Sequence, residues 1–177
     1  MSEVFEIADE LGPAKVIHVH NPALDLQGIL VVQAADVAAQ HLGFGLRGAR
    51  VAIQGFGAVG KHAARFLVER GAVLVAASDS GGTIHDPRGL DLVALLLLKE
   101  TGAPVCDYAG GQKLGRDAII DVECEVWIPA ARPDVVHEGN VPRLRTRLVV
   151  QGANIPLTTG AERILHEKGD LLRAPVT

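Results

Sequence analysis

Residues 50–71, RVAIQGFGAVGKHAARFLVERG, constrain the fold of this chain more than any other segment. The segment opens with an apolar run typical of a buried strand, and it closes with apolar residues at helical spacing. Between them Gly55, Gly57 and Gly60 form the pattern G-x-G-x-x-G. That pattern lets a strand turn sharply into a helix whose first N–H groups face a phosphate. We therefore predict a strand–turn–helix unit that holds the phosphates of a nucleotide.

Strand and helix patterns alternate along the rest of the chain. Apolar runs rich in Val, Ile and Ala lie at 50–54, 72–77, 125–128 and 147–150. Helical patterns lie at 59–70, 90–100, 138–146 and 159–168. This alternation predicts an α/β fold with a Rossmann-like, doubly wound, mostly parallel sheet.

The first part of the chain has a different pattern. Two short strands are predicted at 16–20 and 28–32, and an Ala-rich helix at 34–42 that ends at Gly43. We therefore divide the chain into an N-terminal extension, 1–43, and a dinucleotide-binding domain, 44–177.

Composition and charge exclude several classes of protein. A net charge of -4 provides no general attraction to nucleic acid or to an anionic membrane. The longest apolar run, 92–98, is too short to span a membrane, and the acidic start of the chain does not resemble a signal peptide. Cys106 and Cys124 form no CxxC motif. We expect both to be buried free thiols in a cytoplasmic protein.

The glycine turn also fits the start of a triphosphate-binding loop, G-x-x-x-x-G-K, because Lys61 follows Gly60. That loop needs Ser or Thr next, to ligate magnesium, and His62 stands there instead. We therefore favour a dinucleotide, while a nucleoside triphosphate and a turn that serves only packing remain alternatives. Asp79 ends the second strand, 19 residues after Gly60, where a carboxylate accepts hydrogen bonds from ribose hydroxyls and repels a 2′-phosphate. This favours NAD over NADP.

Four segments together resemble a known family. They are RVAIQGFGAVGKHAARFLVERGA, SDSGGTIHDPRGLD, VWIPAA and VVQGANIPLT. They resemble the dinucleotide-binding domain of the glutamate/leucine/phenylalanine/valine dehydrogenases over about residues 44–174, with 54–60 and 78–91 most similar to glutamate dehydrogenases. The resemblance implies a Rossmann fold that carries one reversed strand.

The resemblance also implies which residues contact the cofactor. The pyrophosphate would lie on the turn formed by Gly55, Phe56, Gly57, Ala58, Val59 and Gly60. Asp79 and Ser80 would meet the adenosine ribose. Ala130 and Ala131 would line the floor beneath the riboses, and Asn154 would bond near the nicotinamide.

This chain departs from the family pattern in three places. Ala58 stands where the family usually has Asn or Ser, and Arg132-Pro133-Asp134 replaces a segment that usually continues with Leu or Glu and Asn. Family members also carry a preceding substrate domain that supplies a catalytic lysine and aspartate, and only about 45 residues precede the dinucleotide domain here. We therefore assign no catalytic residue to this chain.

Three functions follow from these patterns. The chain is either a dinucleotide-binding accessory or regulatory subunit, or one half of a split amino-acid dehydrogenase, or a partner or oligomerisation module without a cofactor. We expect a homo-oligomer or a partner subunit, because the strand ends around Ala130 and Asn154 would otherwise expose small apolar surface. His18 and His20 share one strand face, but no third ligand lies near them in sequence, so no metal site is predicted.

Overall fold

The computed structural model describes residues 16–18, 24–153 and 155–167. These contain seven strands and four α-helices. In chain order they are β1 (Val16–His18), α1 (Leu24–His41), β2 (Arg50–Gln54), α2 (Ala58–Glu69), β3 (Val73–Asp79), β4 (Gly82–His85), α3 (Leu92–Glu100), β5 (Gln112–Leu114), β6 (Cys124–Pro129), β7 (Thr146–Gln151) and α4 (Thr159–Glu167). Short 3₁₀ helices lie at Val105–Asp107, Arg116–Asp121 and Val141–Arg143.

The seven strands form one sheet in the order β1-β7-β6-β2-β3-β4-β5. Neighbouring strands from β1 to β3 are parallel, whereas β4 runs antiparallel to β3 and to β5. The chain leaves β2 towards β3 on one side, and β6 and β7 are added on the other, so the order reverses between β2 and β6. This arrangement confirms the α/β, mostly parallel fold and the single reversed strand.

Both faces of the sheet are buried. Along β2, Val51 and Ile53 belong to the core cluster beneath α1, α2 and α3, while Ala52 points to the opposite cluster with Trp127. The second face is covered by α4 and by the 3₁₀ helices Arg116–Asp121 and Val141–Arg143, through residues such as Ile119 and Leu165. Burial on both faces explains why these strands read as continuous apolar runs instead of alternating ones.

The central elements match their predictions closely. β2 has the predicted bounds, and β3, β6, β7, α2 and α3 begin and end within two residues of theirs. Gly43 lies in the left-handed region, with φ 75°, as expected just after a helix. β1 pairs with β7 in the same sheet, and Val31 and Ala35 of α1 belong to the same core as Val51. The division of the chain at residue 43 stays a prediction.

Two predicted elements are wrong. Residues 28–32 lie inside α1, because Val31, Ala35 and Ala38 continue one helical stripe that outweighs the strand preference of the β-branched residues. Residues 138–146 contain no α-helix: Pro142 lacks the N–H that a helix interior needs, and the Asn140 side chain bonds local backbone groups instead. Strands β4 and β5 were not predicted, since four and three residues are too short for a clear periodicity.

Candidate functional site

The turn between β2 and α2 is held by backbone bonds to the neighbouring strand. The N–H groups of Gly55 and Phe56 both donate to the Ser78 carbonyl, at 2.9 and 2.8 Å. Gly55 has φ 97°, and a Cβ there would lie 2.5 Å from the Ala131 Cβ. At Gly60 a Cβ would collide with the Gly55 carbonyl oxygen. These two glycines are therefore required by the fold itself, whatever the turn binds.

Gly57 has no such structural reason to be glycine. Its φ of −87° is open to any residue, and a Cβ there would meet no atom within 4 Å. It is the N-cap of α2, a position that favours Ser, Asp or Asn, yet no side chain caps this helix and its first turn contains no acidic residue. What glycine provides at this position is open space in front of the helix N-terminus.

The first turn of α2 presents unpaired donors to that space. The N–H groups of Ala58, Val59 and Gly60 precede the first intrahelical bond, which runs from the Lys61 N–H to the Gly57 carbonyl at 2.9 Å. The helix dipole adds partial positive charge at the same end. An anion at this point would accept hydrogen bonds from these N–H groups, which no acidic or capping side chain of α2 accepts.

Asp79 lies at the carboxyl end of β3, with its side chain 13% exposed. Its Oδ2 accepts hydrogen bonds from Lys99 Nζ at 2.7 Å and from the Val105 N–H at 2.9 Å, and its Oδ1 accepts one from the Gly81 N–H at 2.9 Å. Ser80 beside it is exposed. The carboxylate thus links the end of β3 to Lys99 of α3 and to the backbone at Gly81 and Val105. Oδ1 accepts only one of these three hydrogen bonds, so it is the oxygen with more lone-pair capacity for a ribose hydroxyl.

These bonds keep Asp79 ionised. Burial alone would raise the pKa of the Asp79 carboxyl, but the hydrogen bond from Lys99 and those from the Gly81 and Val105 backbone outweigh it. The net effect lowers the pKa of Asp79 below its usual value. At neutral pH the group is therefore an anion with a cation beside it.

The carboxyl ends of β2, β6 and β7 meet at one edge of the sheet. The Ala130 N–H donates to the Gln54 carbonyl at 2.7 Å, and the N–H groups of Gly152 and Ala153 donate to the Pro129 carbonyl at 2.9 and 3.0 Å. Ala130 is half-buried and Ala131 is exposed. The structure thus brings the glycine turn, the two alanines and the loop after β7 together, at the point where the strand order reverses.

The predicted site residues differ in what they offer a ligand. Phe56 is 1% exposed and belongs to the core, and Val59 is half-buried, so the side chains of both contribute packing. Asn154 lies outside the described residues. The cofactor role of the whole set stays a prediction.

The sequence patterns did not indicate one charged residue at the site. Lys99, on α3, pairs with Asp79 from 20 residues further along the chain, and it also donates to the Ala103 carbonyl at 2.8 Å. The only sequence signal was a basic residue in the last turn of an apolar helix, which does not identify its partner. The preference for NAD was predicted from the Asp79 carboxylate alone, and the structure adds a cation, Lys99, beside it.

Three lysines lie among the described residues. Lys99 is held by Asp79, Lys113 is exposed on β5, and Lys61 lies in the first turn of α2. Within residues 16–18, 24–153 and 155–167, no cluster of three His, Cys, Asp or Glu side chains is placed to hold a metal ion. The helices of this part of the chain include none with the length and apolarity to cross a membrane.

Both cysteines are free thiols, as predicted, although only Cys124 is buried. Cys106 is half-buried and its Sγ lies 3.4 Å from the Gly81 carbonyl. Burial raises the pKa of the Cys124 thiol to about 12.

Comparison with known proteins decides the family. The model of the glutamate/leucine/phenylalanine/valine dehydrogenases matches residues 25–175. The chain belongs to this family. The match covers the glycine turn, Asp79 and the strand ends described above.

Individual relatives are glutamate dehydrogenases. The chain is 41% identical over 145 residues to a glutamate dehydrogenase from Aeropyrum pernix, covering 82% of this chain and 35% of that protein. It is 37% identical over 142 residues to an NADP-specific enzyme from Saccharolobus shibatae, covering 80% of this chain and 34% of the relative. It is also 37% identical over 142 residues to an NAD-specific enzyme from Staphylococcus aureus, with the same two shares. The chain thus spans about a third of these relatives.

Solved structures agree with this assignment. A hetero-hexameric glutamate dehydrogenase from Thermus thermophilus, in a Leu-bound form, superimposes with a TM-score of 0.73 at 32% identity, covering 85% of this chain and 35% of that one. A Plasmodium falciparum glutamate dehydrogenase gives a TM-score of 0.76 at 21% identity, over 86% of this chain and 35% of that one, which supports the fold alone.

Proposed function

We propose that this chain binds a nicotinamide dinucleotide at the edge formed by β2, β3 and β6. The pyrophosphate lies on the N–H groups of Ala58, Val59 and Gly60, and Asp79 accepts a hydrogen bond from the adenosine ribose. Ala130 and Ala131 form the floor on the side of β6, where small side chains leave room for the ribose. The observation that supports this proposal most is Gly57. A glycine with free space around it, at a helix N-terminus that no side chain caps, leaves room for a bound phosphate.

Substituting Gly57 tests the proposal directly. In Gly57→Ala the new Cβ has free space in the unliganded protein, so we expect the variant to fold and to lose less than about 1 kcal/mol of stability. In the complex the same methyl group occupies the path of the pyrophosphate. Such overpacking costs about 1–3 kcal/mol, and we expect affinity for NAD to fall roughly 5- to 150-fold.

The matched control is Gly45→Ala. Gly45 is exposed and remote from the edge, and a Cβ there also meets no atom within 4 Å. Calorimetric titration with NAD should give wild-type affinity for the control. Equal affinities for all three proteins would mean that nothing binds at the turn.

We infer a preference for NAD over NADP, and we expect it to be modest. A 2′-phosphate placed beside the ionised Asp79 is repelled, but Lys99 Nζ lies 2.7 Å from the same carboxylate and offsets part of that repulsion. Relatives of both kinds, named NAD-specific and NADP-specific, match this chain. Titration with both cofactors at low ionic strength should rank NAD first, and a tighter complex with NADP would reverse our assignment.

We further propose that the chain supplies the dinucleotide half of an amino-acid dehydrogenase. Bound there, the cofactor would supply the hydride acceptor for the oxidation of an L-amino acid, with water, to a 2-oxo acid and ammonia. The residues of this chain would bind and orient the cofactor. The chain spans about a third of its glutamate dehydrogenase relatives, and we propose that the remaining part of such an enzyme supplies the groups that act on the amino acid. The chain by itself should therefore produce no NADH from glutamate, leucine, valine or phenylalanine. Turnover of about 1 per second or more by the purified chain would contradict this division of roles.

We propose that the edge around the exposed Ala131 is covered by other protein surface, from a second copy or from a partner subunit. Proteins of this kind assemble, as the hetero-hexameric Thermus thermophilus enzyme illustrates. Sedimentation at high protein concentration should show association. A strict monomer that copurifies with no other chain would argue against this contact.

A further inference from the structure

The segment that follows α3 returns the chain to the end of β3, where Asp79 lies. Lys99 belongs to the last turn of α3. Gly102 then reverses the chain: its φ is 80°, and its N–H donates to the Lys99 carbonyl at 3.2 Å. Val105 opens the 3₁₀ helix beyond this turn. Residues 99–105, which we call the α3 return segment, therefore approach Asp79 from both of their ends.

Both ends of the α3 return segment bond the same carboxylate oxygen. Lys99 Nζ donates to Asp79 Oδ2 at 2.7 Å, and the Val105 N–H donates to it at 2.9 Å. Lys99 also donates to the Ala103 carbonyl at 2.8 Å, so its ammonium group is held by its own segment as well as by Asp79. Because the Lys99 and Asp79 side chains are only 17% and 13% exposed, water competes weakly for these bonds.

The turn after β3 holds the second carboxylate oxygen. The Gly81 N–H donates to Asp79 Oδ1 at 2.9 Å. A Cβ at Gly81 would lie 2.3 Å from the Pro104 Cβ, so the glycine lets this turn pack closely against the α3 return segment. The turn and the α3 return segment therefore enclose the carboxylate from two sides.

These contacts fix the orientation of the Asp79 carboxylate. The last torsion of an aspartate side chain has broad minima, so a carboxylate with few partners rotates readily. Here two donors act on Oδ2 and one acts on Oδ1. A carboxylate oxygen accepts about two hydrogen bonds. Oδ2 is therefore filled, and the remaining capacity lies on Oδ1.

We propose that Lys99 is a positioning residue for the cofactor: acting through Asp79, it directs Oδ1 towards the 2′-hydroxyl of the adenosine ribose. This inference rests on the proposed binding of a nicotinamide dinucleotide at this edge, and it assigns recognition of the ribose hydroxyl to Asp79 and Lys99 together. In Lys99→Met the carboxylate keeps two backbone donors but loses its strongest partner. It then has more freedom to rotate away from the hydroxyl, and the bond to the ribose weakens.

An analogue that lacks only this hydroxyl, nicotinamide 2′-deoxyadenosine dinucleotide, tests the proposal. We expect calorimetric titration of the wild-type chain to give roughly 10- to 100-fold tighter binding of NAD than of the analogue, because a hydrogen bond to a charged group is lost. In Lys99→Met this ratio should fall below about 3-fold, through weaker binding of NAD with little change for the analogue. Lys113→Met, at an exposed position on β5, should keep the wild-type ratio.

The ratio of the two affinities separates positioning from stability. A partly unfolded variant binds both ligands more weakly by the same factor, so a purely structural effect of Lys99 leaves the ratio unchanged. Lys99→Gln is a milder second variant, because its amide remains a neutral donor. We expect its ratio to lie between those of wild type and Lys99→Met.

Two results would overturn the proposal. The first is a wild-type ratio in both Lys99→Met and Lys99→Gln, including an equal loss of affinity for NAD and for the analogue. The second is a wild-type chain that binds NAD and the analogue equally, which would remove the role of Asp79 as well. Absence of NAD binding to the wild-type chain would reject the proposed function itself. Binding of NAD that depends on Gly57, with a ratio that does not depend on Lys99, would reject only this inference.

Discussion

The ion pair between Lys99 and Asp79 makes a quantitative prediction. The Lys99 ammonium donates to Asp79 Oδ2 at 2.7 Å and to the Ala103 carbonyl at 2.8 Å, and the two charged side chains are 17% and 13% exposed. Lys99→Met keeps most of the apolar stem but removes both bonds. A hydrogen bond between charged groups contributes about 1.5–3 kcal/mol. We expect the total loss of folding stability in Lys99→Met to lie in this range. It should not be larger, because the Gly81 and Val105 N–H groups still donate to the carboxylate.

The effect should depend on pH with a definite sign. The folded-state pKa of Asp79 is lowered, so its contribution to stability is complete above the unfolded pKa of about 3.9 and disappears as pH falls through the lower folded value. Without Lys99 the pKa of Asp79 is lowered less, so the ionised carboxylate contributes less to stability. The gap between wild type and Lys99→Met should therefore be widest at neutral pH and should narrow in acid as Asp79 becomes protonated.

Urea denaturation and thermal melting at pH 7 and at pH 3 measure this gap. A loss of about 1.5–3 kcal/mol corresponds to a fall in Tm of roughly 3–12 °C for a domain of this size. Lys113→Met, at an exposed position on β5, is the control and should leave both values unchanged. A Lys99→Met variant as stable as wild type, or one that loses equal stability at both pH values, would contradict this role of Lys99.

Two further predictions concern the turn and the thiols. Gly60→Ala should destabilise the chain by roughly 1–3 kcal/mol in chemical denaturation, because its Cβ would collide with the Gly55 carbonyl oxygen; a fully stable Gly60→Ala would show that the turn is looser than described. Under native conditions at pH 8, Ellman's reagent should modify Cys106 well before Cys124, whose buried thiol has a pKa raised to about 12. Equal modification rates in the folded protein would contradict the burial of Cys124.

Local patterns predicted the centre of this fold and long-range contacts determined the rest. β2 and the glycine turn are specified within 11 residues, so their bounds and their role as a strand-to-helix turn follow from the sequence. Residues 28–32 have a strand-forming composition, and only the packing of α1 against α2 makes them helical. In that packing a Cβ at Gly28 would lie 2.6 Å from the His62 Cβ.

The polar contacts of the site were the hardest features to predict. Asp79 was identified from its spacing, but its pairing with Lys99 depends on how α3 crosses the end of β3. Such contacts depend on how distant segments pack against one another, and the periodicity of the sequence does not show that packing.

The position of the pyrophosphate is the central claim, and a crystal structure of the chain with NAD tests it most directly. We predict both phosphate groups within hydrogen-bonding distance of the backbone N–H groups at the start of α2, with the adenosine ribose next to Asp79. A complex whose phosphates lie elsewhere, or crystals in which side chains fill the space in front of Gly57 at saturating NAD, would contradict the account.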